Sequence, residues 1–260
     1  IDRLVDEGKA YWCSCTPEEV DAMREKAREQ GLKPKYDGSC REMGVGAPEG
    51  DEKRVVRFKT PLTGKTVYTD MVKGVVAWEH TELDDMILRR SDGSPTYNLA
   101  VVVDDHDMGV THVLRGEDHI SNTPRQILLY EALGFEVPTF GHLPLIHGPD
   151  KKKLSKRHGA RSTTEYRDEG ILPQALLNYL VRLGWAHGDQ EIFSKEELVK
   201  LFTTEHLSRS AAAFDPEKLL WLNGQYIKEA APEKLGAMLK ELYAAKGLEA
   251  DSAFLAQVVP

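Results

Sequence analysis

The chain has 260 residues, 41% of them hydrophobic and 29% charged, with a formal net charge of −8. These values fit a globular protein of two or three small domains, and the acidic total argues against a general nucleic-acid coat. No apolar run approaches the roughly 20 residues of a membrane helix, so we expect no membrane partner. All three Cys lie between positions 13 and 40, which favours reduced thiols in the cytoplasm over a secreted disulfide scaffold.

The first 90 residues predict a small α+β module. Residues 17–30 predict a helix, with Thr16 as its cap, Pro17 in its first turn and Gly31 after its end. A loop rich in Gly and Pro follows at 33–50. Short β-type runs separated by Gly and Pro signals come next, at 54–59, 66–70, 73–78 and 86–89.

Helices and strands alternate in the next stretch. The predicted elements are a helix over 97–108, a strand over 111–115, a helix that ends at residue 133 and a strand over 142–147. Pro124 lies near the start of the second helix, and Gly134 follows its end. This alternation indicates an α/β fold, with a parallel sheet and crossover connections.

Beyond residue 160 the chain turns helical. Caps, Pro at first turns and apolar periodicity predict helices over 173–183, 194–201, 215–222 and 232–245. The histidines of the preceding stretch, His142, His147 and His158, are expected to be structural or solvated.

The sharpest motif is the run Lys153-Leu154-Ser155-Lys156-Arg157, which follows a predicted strand. When pyrophosphate leaves ATP, charge builds on the phosphates and must be stabilised. Two Lys on a loop flanked by Gly can do this, with a Ser hydroxyl and backbone N–H groups as further donors. The alternative is a solvated charged loop.

The run resembles the K-M-S-K-S signature of class I aminoacyl-tRNA synthetases, with Leu154 in place of Met and Arg157 in place of the last Ser. A final Arg is typical of the glutamyl and glutaminyl branch. Four stretches of the chain are similar to that branch: DGSPTYNLAVVVDDHDMGVTHVLRGEDHISNTPRQILLYEALG, HLPLIHGPDKKKLSKRHGA, EYRDEGILPQALLNYLVRLGW and DQEIFS. The resemblance implies ATP-dependent attachment of L-glutamate to tRNA(Glu) through a glutamyl-adenylate, with ATP, Mg²⁺, glutamate and tRNA as partners.

The resemblance also implies a domain order. Residues 1–90 would form an insert that binds the acceptor stem, and 91–160 the C-terminal half of a Rossmann-like catalytic domain with the signature loop. Residues 161–228 would contact the tRNA stem, and 229–260 would begin a helical anticodon-binding domain. A monomer is expected.

Arg115 stands at the end of a predicted strand, where open α/β sheets bind ligands and a guanidinium can clamp a carboxylate. From the residues alone, a surface ion pair for Arg115 and core packing for Tyr97 remain alternatives. The resemblance implies that both contact glutamate, and that the nucleotide lies near Asp118 and the backbone of Leu145 and Ile146. It further implies catalytic roles for the signature loop, with Lys156 also binding ATP; the residues are Lys153, Ser155, Lys156 and Arg157.

Cys13, Cys15 and Cys40 predict one structural Zn²⁺, because three thiolates suit a tetrahedral ion. The alternative is three small buried side chains. Related synthetases carry such a module, with a fourth ligand that is either His two positions after the last Cys or Tyr four positions before it. In this chain those positions hold Glu42 and Tyr36, so Tyr36 is the candidate.

No His-x-Gly-His motif of the family's first catalytic half occurs in the sequence. The chain begins at Ile1 without Met, and we expect both of its ends to be cuts and the 260 residues alone to be inactive. Three alternatives to a glutamate–tRNA ligase stay open. They are a paralogue that glutamylates a modified tRNA base, a noncatalytic zinc-dependent RNA-binding module, and glutaminyl specificity.

Overall fold

The structure is a computed structural model that describes residues 1–50, 52–148, 150–154 and 161–258. The chain divides into two compact units, Ile1–His142 and Leu143–Pro260. The predicted division into an insert, a catalytic half and two helical domains stays a prediction. Among the helices of the described ranges, none has both the length and the apolar character that a bilayer crossing requires.

Helices and strands follow one another along the chain in the predicted order. The strands are β1 (Ala10–Cys13), β2 (Val55–Phe58), β3 (Lys65–Asp70), β4 (Gly74–Glu79), β5 (Ile87–Arg89), β6 (His112–Gly116) and β7 (Thr139–Leu143). The helices are α1 (Asp2–Asp6), α2 (Pro17–Glu29), α3 (Tyr97–Asp107), α4 (Thr123–Leu133), α5 (Thr163–Asp168), α6 (Pro173–Gly184), α7 (Lys195–Leu201), α8 (Pro216–Glu229), α9 (Pro232–Ala245) and α10 (Ser252–Val258).

The strands of the first 90 residues pair antiparallel. β2 lies between β1 and β5, and β3 pairs with β4 as a hairpin. The four strands predicted here are confirmed to within one residue at each end, whereas β1 was not predicted. Helix α2 begins as expected, because the Thr16 side chain accepts from the Glu19 backbone while the Glu19 carboxylate accepts from the Thr16 backbone.

β6, α4 and β7 form a parallel crossover unit, in which the two strands are hydrogen-bonded neighbours. Helix α4 ends at Gly134, whose φ of 69° is the left-handed conformation that glycine adopts without strain. The strand predicted over 142–147 is wrong in position, since β7 runs from Thr139 to Leu143. Pro144 has no N–H to continue the ladder and follows the strand directly.

The hydrophobic core of the first unit is shared by the antiparallel strands of the first 90 residues and the β6–α4–β7 crossover unit. Apolar side chains of β2 and β5 pack with those of α3, α4 and β7 in one cluster, which includes Val56, Phe58, Leu88, Leu99, Val102, Leu129 and Phe140. This packing fixes β3, β6 and β7 beside one another, and their ends carry the polar residues of the candidate site.

The second unit is helical and is built around α6 and α8. Leu172, Ala175 and Tyr179 pack with Leu219 and Leu222. The helix predicted over 215–222 extends to Glu229, and the short helices α5 and α10 were not predicted. The helix predicted over 232–245 is confirmed with both of its ends.

Candidate functional site

Arg115 lies near the end of β6, and its guanidinium is held from three sides. Nε donates to Nε2 of His142 over 3.3 Å, and Nη2 donates to Oγ1 of Thr123 and Oε1 of Gln126, each over 2.8 Å. The ring of Phe140 lies 5.4 Å below the guanidinium carbon. Among the described residues, nothing hydrogen-bonds to Nη1, which is therefore the part of the cation open to a ligand.

His142 connects Arg115 to a buried carboxylate. The side chains of His142 and Asp70 are both fully buried, and His142 Nδ1 lies 2.5 Å from Oδ2 of Asp70. The other carboxylate oxygen accepts three backbone N–H groups, those of Val72, Lys73 and His142 itself, over 2.8–3.1 Å. Burial is the main cause that lowers the pKa of His142, and the bonds to Asp70 oppose it.

Tyr97 and Asp118 belong to the elements next to Arg115 in the chain, Tyr97 to α3 before β6 and Asp118 to the turn after it. Tyr97 begins α3, and its hydroxyl lies 3.4 Å from Nδ1 of His119. Its neighbour Asn98 accepts a hydrogen bond from Gln126, the residue that holds Arg115. Tyr97 is thus connected with Arg115 only indirectly, through Asn98 and Gln126. That both residues bind glutamate stays a prediction. Asp118, predicted near the nucleotide, is exposed in the short 3₁₀ helix Glu117–His119 that follows β6.

A cleft of about 960 Å³ opens beside Tyr97. The start of α2, strands β2 and β5 and the start of α3 form its walls. Its cations are Arg24, Lys53, Arg57 and Arg90, and its acids are Glu18, Asp21 and Asp84. A cleft with several guanidinium groups and a tyrosine ring suits an anionic, partly aromatic ligand.

The three cysteines converge as the sequence predicted. Their sulfur atoms all lie within 4.8 Å of one another, and those of Cys15 and Cys40 are 3.4 Å apart. The Tyr36 hydroxyl lies 3.5 Å from the Cys13 sulfur and 3.9 Å from the Cys15 sulfur. Zn–S bonds of about 2.3 Å place tetrahedral sulfurs about 3.8 Å apart, so this donor set fits zinc. Zinc ligation itself stays a prediction.

Glu42 points away from the sulfurs. Its carboxylate is largely exposed and pairs with Lys59 over 2.9 Å. The geometry therefore gathers Tyr36, and not Glu42, with the thiols. Burial raises the pKa of Tyr36. Burial also raises the pKa of Cys15 to about 12, whereas for Cys40 the hydrogen bonds from the Ser14 backbone and its neighbours outweigh burial and bring the pKa to about 7.

Asp85 connects the loop of the Cys cluster with strands β1 and β2. Its carboxylate accepts from Arg41 over 2.7 Å and from the Tyr11 hydroxyl over 2.6 Å, and Arg41 directly follows Cys40. The Arg57 side chain donates to the Asp85 carbonyl over 2.9 Å. The loop that carries Tyr36 and Cys40 is thus fixed by a buried carboxylate.

The approach to the signature loop lies in the second unit and is a short hairpin. His147 pairs antiparallel with Lys153, and the Leu154 N–H donates to the Ile146 carbonyl over 2.8 Å. Leu145 and Ile146 are half-buried beside it. The remaining predicted residues of the loop, Ser155, Lys156 and Arg157, and also His158, lie outside the described residues.

Residues 1–221 match the family described as class I tRNA synthetases (E and Q), catalytic domain. The chain belongs to this family. The predicted class I synthetase fold and the predicted family are confirmed.

Several class I synthetases for glutamate are similar to this chain. A glutamate–tRNA ligase of Oleidesulfovibrio alaskensis is 66% identical over 98% of the chain and 54% of its own length. One of Nitratidesulfovibrio vulgaris is 63% identical over 100% of the chain and 56% of its own length. The crystal structure of a glutamate tRNA ligase from Elizabethkingia meningosepticum, in complex with its amino acid, matches with a TM-score of 0.83 at 32% identity, over 99% of the chain and 58% of that structure. The chain thus spans about half the length of the curated relatives it matches.

Sequence reasoning found Arg115 but missed the residues that hold it. These residues come from three other elements, Asp70 from β3, Thr123 and Gln126 from α4 and His142 from β7, so no local spacing connects them with Arg115. Only one signal was available. Asp70 closes a β-type run just before a tight turn, a position where Asp accepts backbone N–H groups.

Proposed function

We propose that this chain takes part in the ATP-dependent attachment of L-glutamate to tRNA(Glu). The observation that carries the proposal is the guanidinium of Arg115, held at the end of β6 with Nη1 open to a ligand. The family match and the names of the similar ligases support the same conclusion.

Glutamate recognition would use Arg115 and Tyr97. The Nη1 protons of Arg115 would donate to one of the two carboxylates of glutamate, because Nε and Nη2 are already engaged. From sequence, the Arg115 guanidinium was expected to clamp the glutamate carboxylate with two nitrogens. These contacts instead favour hydrogen bonds to the carboxylate from Nη1 alone. The Tyr97 hydroxyl, close to His119, would be a second donor on the same side of the network.

Two steps complete the proposed reaction. An oxygen of the glutamate α-carboxylate attacks the α-phosphorus of ATP–Mg²⁺, the bond to the β-phosphate oxygen breaks, and pyrophosphate leaves. The terminal ribose hydroxyl of the tRNA then attacks the activated carbonyl, loses its proton and expels AMP. The chain would contribute position and charge. Lys153 begins the loop that would neutralise the phosphates, with Ser155, Lys156 and Arg157 beyond it.

Further proposals concern the nucleotide, the tRNA acceptor end and the zinc. The backbone at Leu145 and Ile146 would lie beside adenine, and Asp118 near the nucleotide. The cleft beside Tyr97 would receive the acceptor end of the tRNA, since four cations line it against three acids and its tyrosine ring can stack. Zinc would be held by Cys13, Cys15, Cys40 and Tyr36, and it would supply structural support to this insert. We further propose a cytoplasmic monomer.

The alternatives are less well supported. A noncatalytic zinc module needs no Arg115 network, and the family match extends over residues 1–221, far beyond the Cys cluster. A paralogue that modifies a tRNA base and a glutaminyl enzyme would share much of this geometry. The similar proteins named above are all glutamate–tRNA ligases.

A charging assay on the full-length gene product tests the proposal. The protein is incubated with tRNA(Glu), ATP–Mg²⁺ and radiolabelled glutamate or glutamine, and the tRNA is then digested with ribonuclease A. We expect label from glutamate alone, released as glutamyl-adenosine from the terminal nucleotide. Label on an internal nucleotide, label from glutamine, or no label at all would contradict the proposal.

A further inference from the structure

We infer that Asp70 and His142 are positioning residues, which orient Arg115 and fix which of its nitrogens meets the substrate. The inference rests on the proposed function, since it gives these residues their effect through glutamate binding. Neither side chain is exposed, so neither can touch a ligand directly. Their effect on a ligand would therefore pass through Arg115.

The contacts of His142 favour one tautomer of its ring. Nε2 of His142 lies 3.3 Å from Nε of Arg115 and 2.9 Å from Oγ1 of Thr123. The Nε–H of Arg115 can only donate, whereas the Thr123 hydroxyl can also donate, so both contacts are satisfied when Nε2 is an acceptor without a proton. The single ring proton then lies on Nδ1 and is donated to Asp70. A proton on Nε2 would instead face the Arg115 N–H. His142 is therefore neutral, carries its proton on Nδ1, and connects the Asp70 carboxylate with the Arg115 guanidinium.

Asp70 selects that tautomer because its own position is fixed. Three backbone N–H groups hold Oδ1, and they come from the turn after β3 and from β7. Oδ2 is thereby aimed at Nδ1 of His142. The carboxylate is an obligatory acceptor at this point, so it demands a donor from the imidazole.

These contacts prevent the guanidinium of Arg115 from rotating. With Nε on His142 and Nη2 on Thr123 and Gln126, the guanidinium cannot turn without breaking three hydrogen bonds. If His142 no longer accepts from Nε, the guanidinium plane of Arg115 can turn on that side. Nη1 then no longer has one fixed orientation toward the substrate. Asp70 belongs to β3, so a strand of the predicted acceptor-binding insert controls a residue of the predicted amino-acid site.

Asp70→Asn is the sharpest variant, since it keeps the size of the side chain and an oxygen for the backbone donors. The amide N–H₂ then faces Nδ1 of His142 and demands the other tautomer, which turns an N–H toward Arg115. In charging assays of the full-length gene product, we expect the KM for glutamate to rise about tenfold, as loss of a charged hydrogen bond implies, and the KM for ATP to change less than about twofold.

The double variant separates positioning from a general structural defect. His142→Gln can still offer an oxygen to Arg115 but has no Nδ1, so Asp70→Asn should add less than about twofold to the KM for glutamate in that background. Effects that multiply, or equal rises in KM for glutamate and ATP, would overturn the inference. Asp251→Asn is the matched control, because Asp251 also accepts the backbone N–H two residues ahead and lies in the second unit.

A measurement on the unaltered protein covers the case in which a variant does not fold. In ¹⁵N-histidine NMR spectra we expect His142 as the tautomer protonated at Nδ1, and a proton on Nε2 would overturn the inference. The charging assay separates this inference from the proposed function, because failure of the unaltered gene product to charge tRNA(Glu) with glutamate contradicts the proposed function. An unchanged KM for glutamate in Arg115→Lys contradicts the assignment of Arg115 to glutamate, whereas a raised KM there with no effect of Asp70→Asn contradicts the positioning alone.

Discussion

The guanidinium carbon of Arg57 lies 3.8 Å from the centre of the Tyr36 ring. Arg57 is buried, and no carboxylate among the described residues pairs with it. The Arg57 guanidinium stacks on the Tyr36 ring, whose hydroxyl lies beside the thiols of the Cys cluster. If the cluster holds zinc, its thiolates make it anionic, and the Arg57 cation would stabilise it electrostatically. Two contacts therefore hold the surroundings of the Cys cluster, Arg57 on the Tyr36 ring and Asp85 on Arg41 of the following loop.

Zinc content tests the role of this cluster. We expect about one zinc per purified protein by plasma mass spectrometry, and a lower melting temperature after chelation, because the thiols and the phenol together make four ligands. Cys13→Ser should lose the metal. Tyr36→Phe keeps the ring under Arg57 and should weaken zinc retention against a competing chelator.

Glu42→Gln is the matched control for the zinc experiment. Glu42 lies close in sequence to Cys40 but pairs with Lys59 on the surface. We expect the variant to retain zinc as the unaltered protein does. Metal lost with Glu42→Gln but kept with Tyr36→Phe would show that the fourth ligand has been assigned to the wrong residue.

Much of this site follows from sequence, and the rest depends on tertiary contacts. The Cys-x-Cys spacing and the capped helices are local features, so they were predictable. β1 was missed because its four residues, Ala10–Cys13, show too short a pattern until β2 pairs with them. The partners of Arg115 were missed for a related reason, since Asp70 and His142 are 72 residues apart in sequence.

The stability of the protein should depend on pH through His142. The folded state lowers its pKa, chiefly by burial, and the titratable and charged groups that face it are Asp70 from β3, Arg115 from β6 and His119 after β6. Below the usual pKa of about 6.5, the unfolded chain binds a proton that the folded state does not yet accept. The contribution of His142 is therefore complete above that pH and is lost as the pH falls.

Urea unfolding at several pH values checks this expectation. Between about pH 6.5 and pH 5, the unfolding free energy of the unaltered protein should fall more steeply than that of His142→Gln, by at most about 1.4 kcal/mol per pH unit. The other histidines titrate in both proteins and cancel in the comparison. Parallel curves would mean that His142 is protonated as readily in the folded as in the unfolded state.

Gly236 marks the close approach of α9 and α10. A Cβ at this position would lie 2.5 Å from the Ser252 carbonyl oxygen and 2.8 Å from the Ala256 nitrogen, both of them backbone atoms. Gly236→Ala should therefore destabilise the second unit by about 1–3 kcal/mol. Gly224→Ala is the control in α8, where a Cβ meets nothing within 4 Å and should stabilise by about 0.5–1 kcal/mol. Urea unfolding that shifts in the same direction for both would contradict the described packing.

The central claim is that Arg115 holds the glutamate substrate, and Arg115→Lys tests it most directly. Lysine keeps the charge but cannot both hold the network and present Nη1. Arg89→Lys is the matched control, since Arg89 also stacks on an aromatic ring, that of Trp12 at 4.7 Å. In tRNA charging by the full-length gene product, we expect the KM for glutamate to rise at least about tenfold for Arg115→Lys and to stay unchanged for Arg89→Lys. An unchanged KM for glutamate in Arg115→Lys would contradict the account.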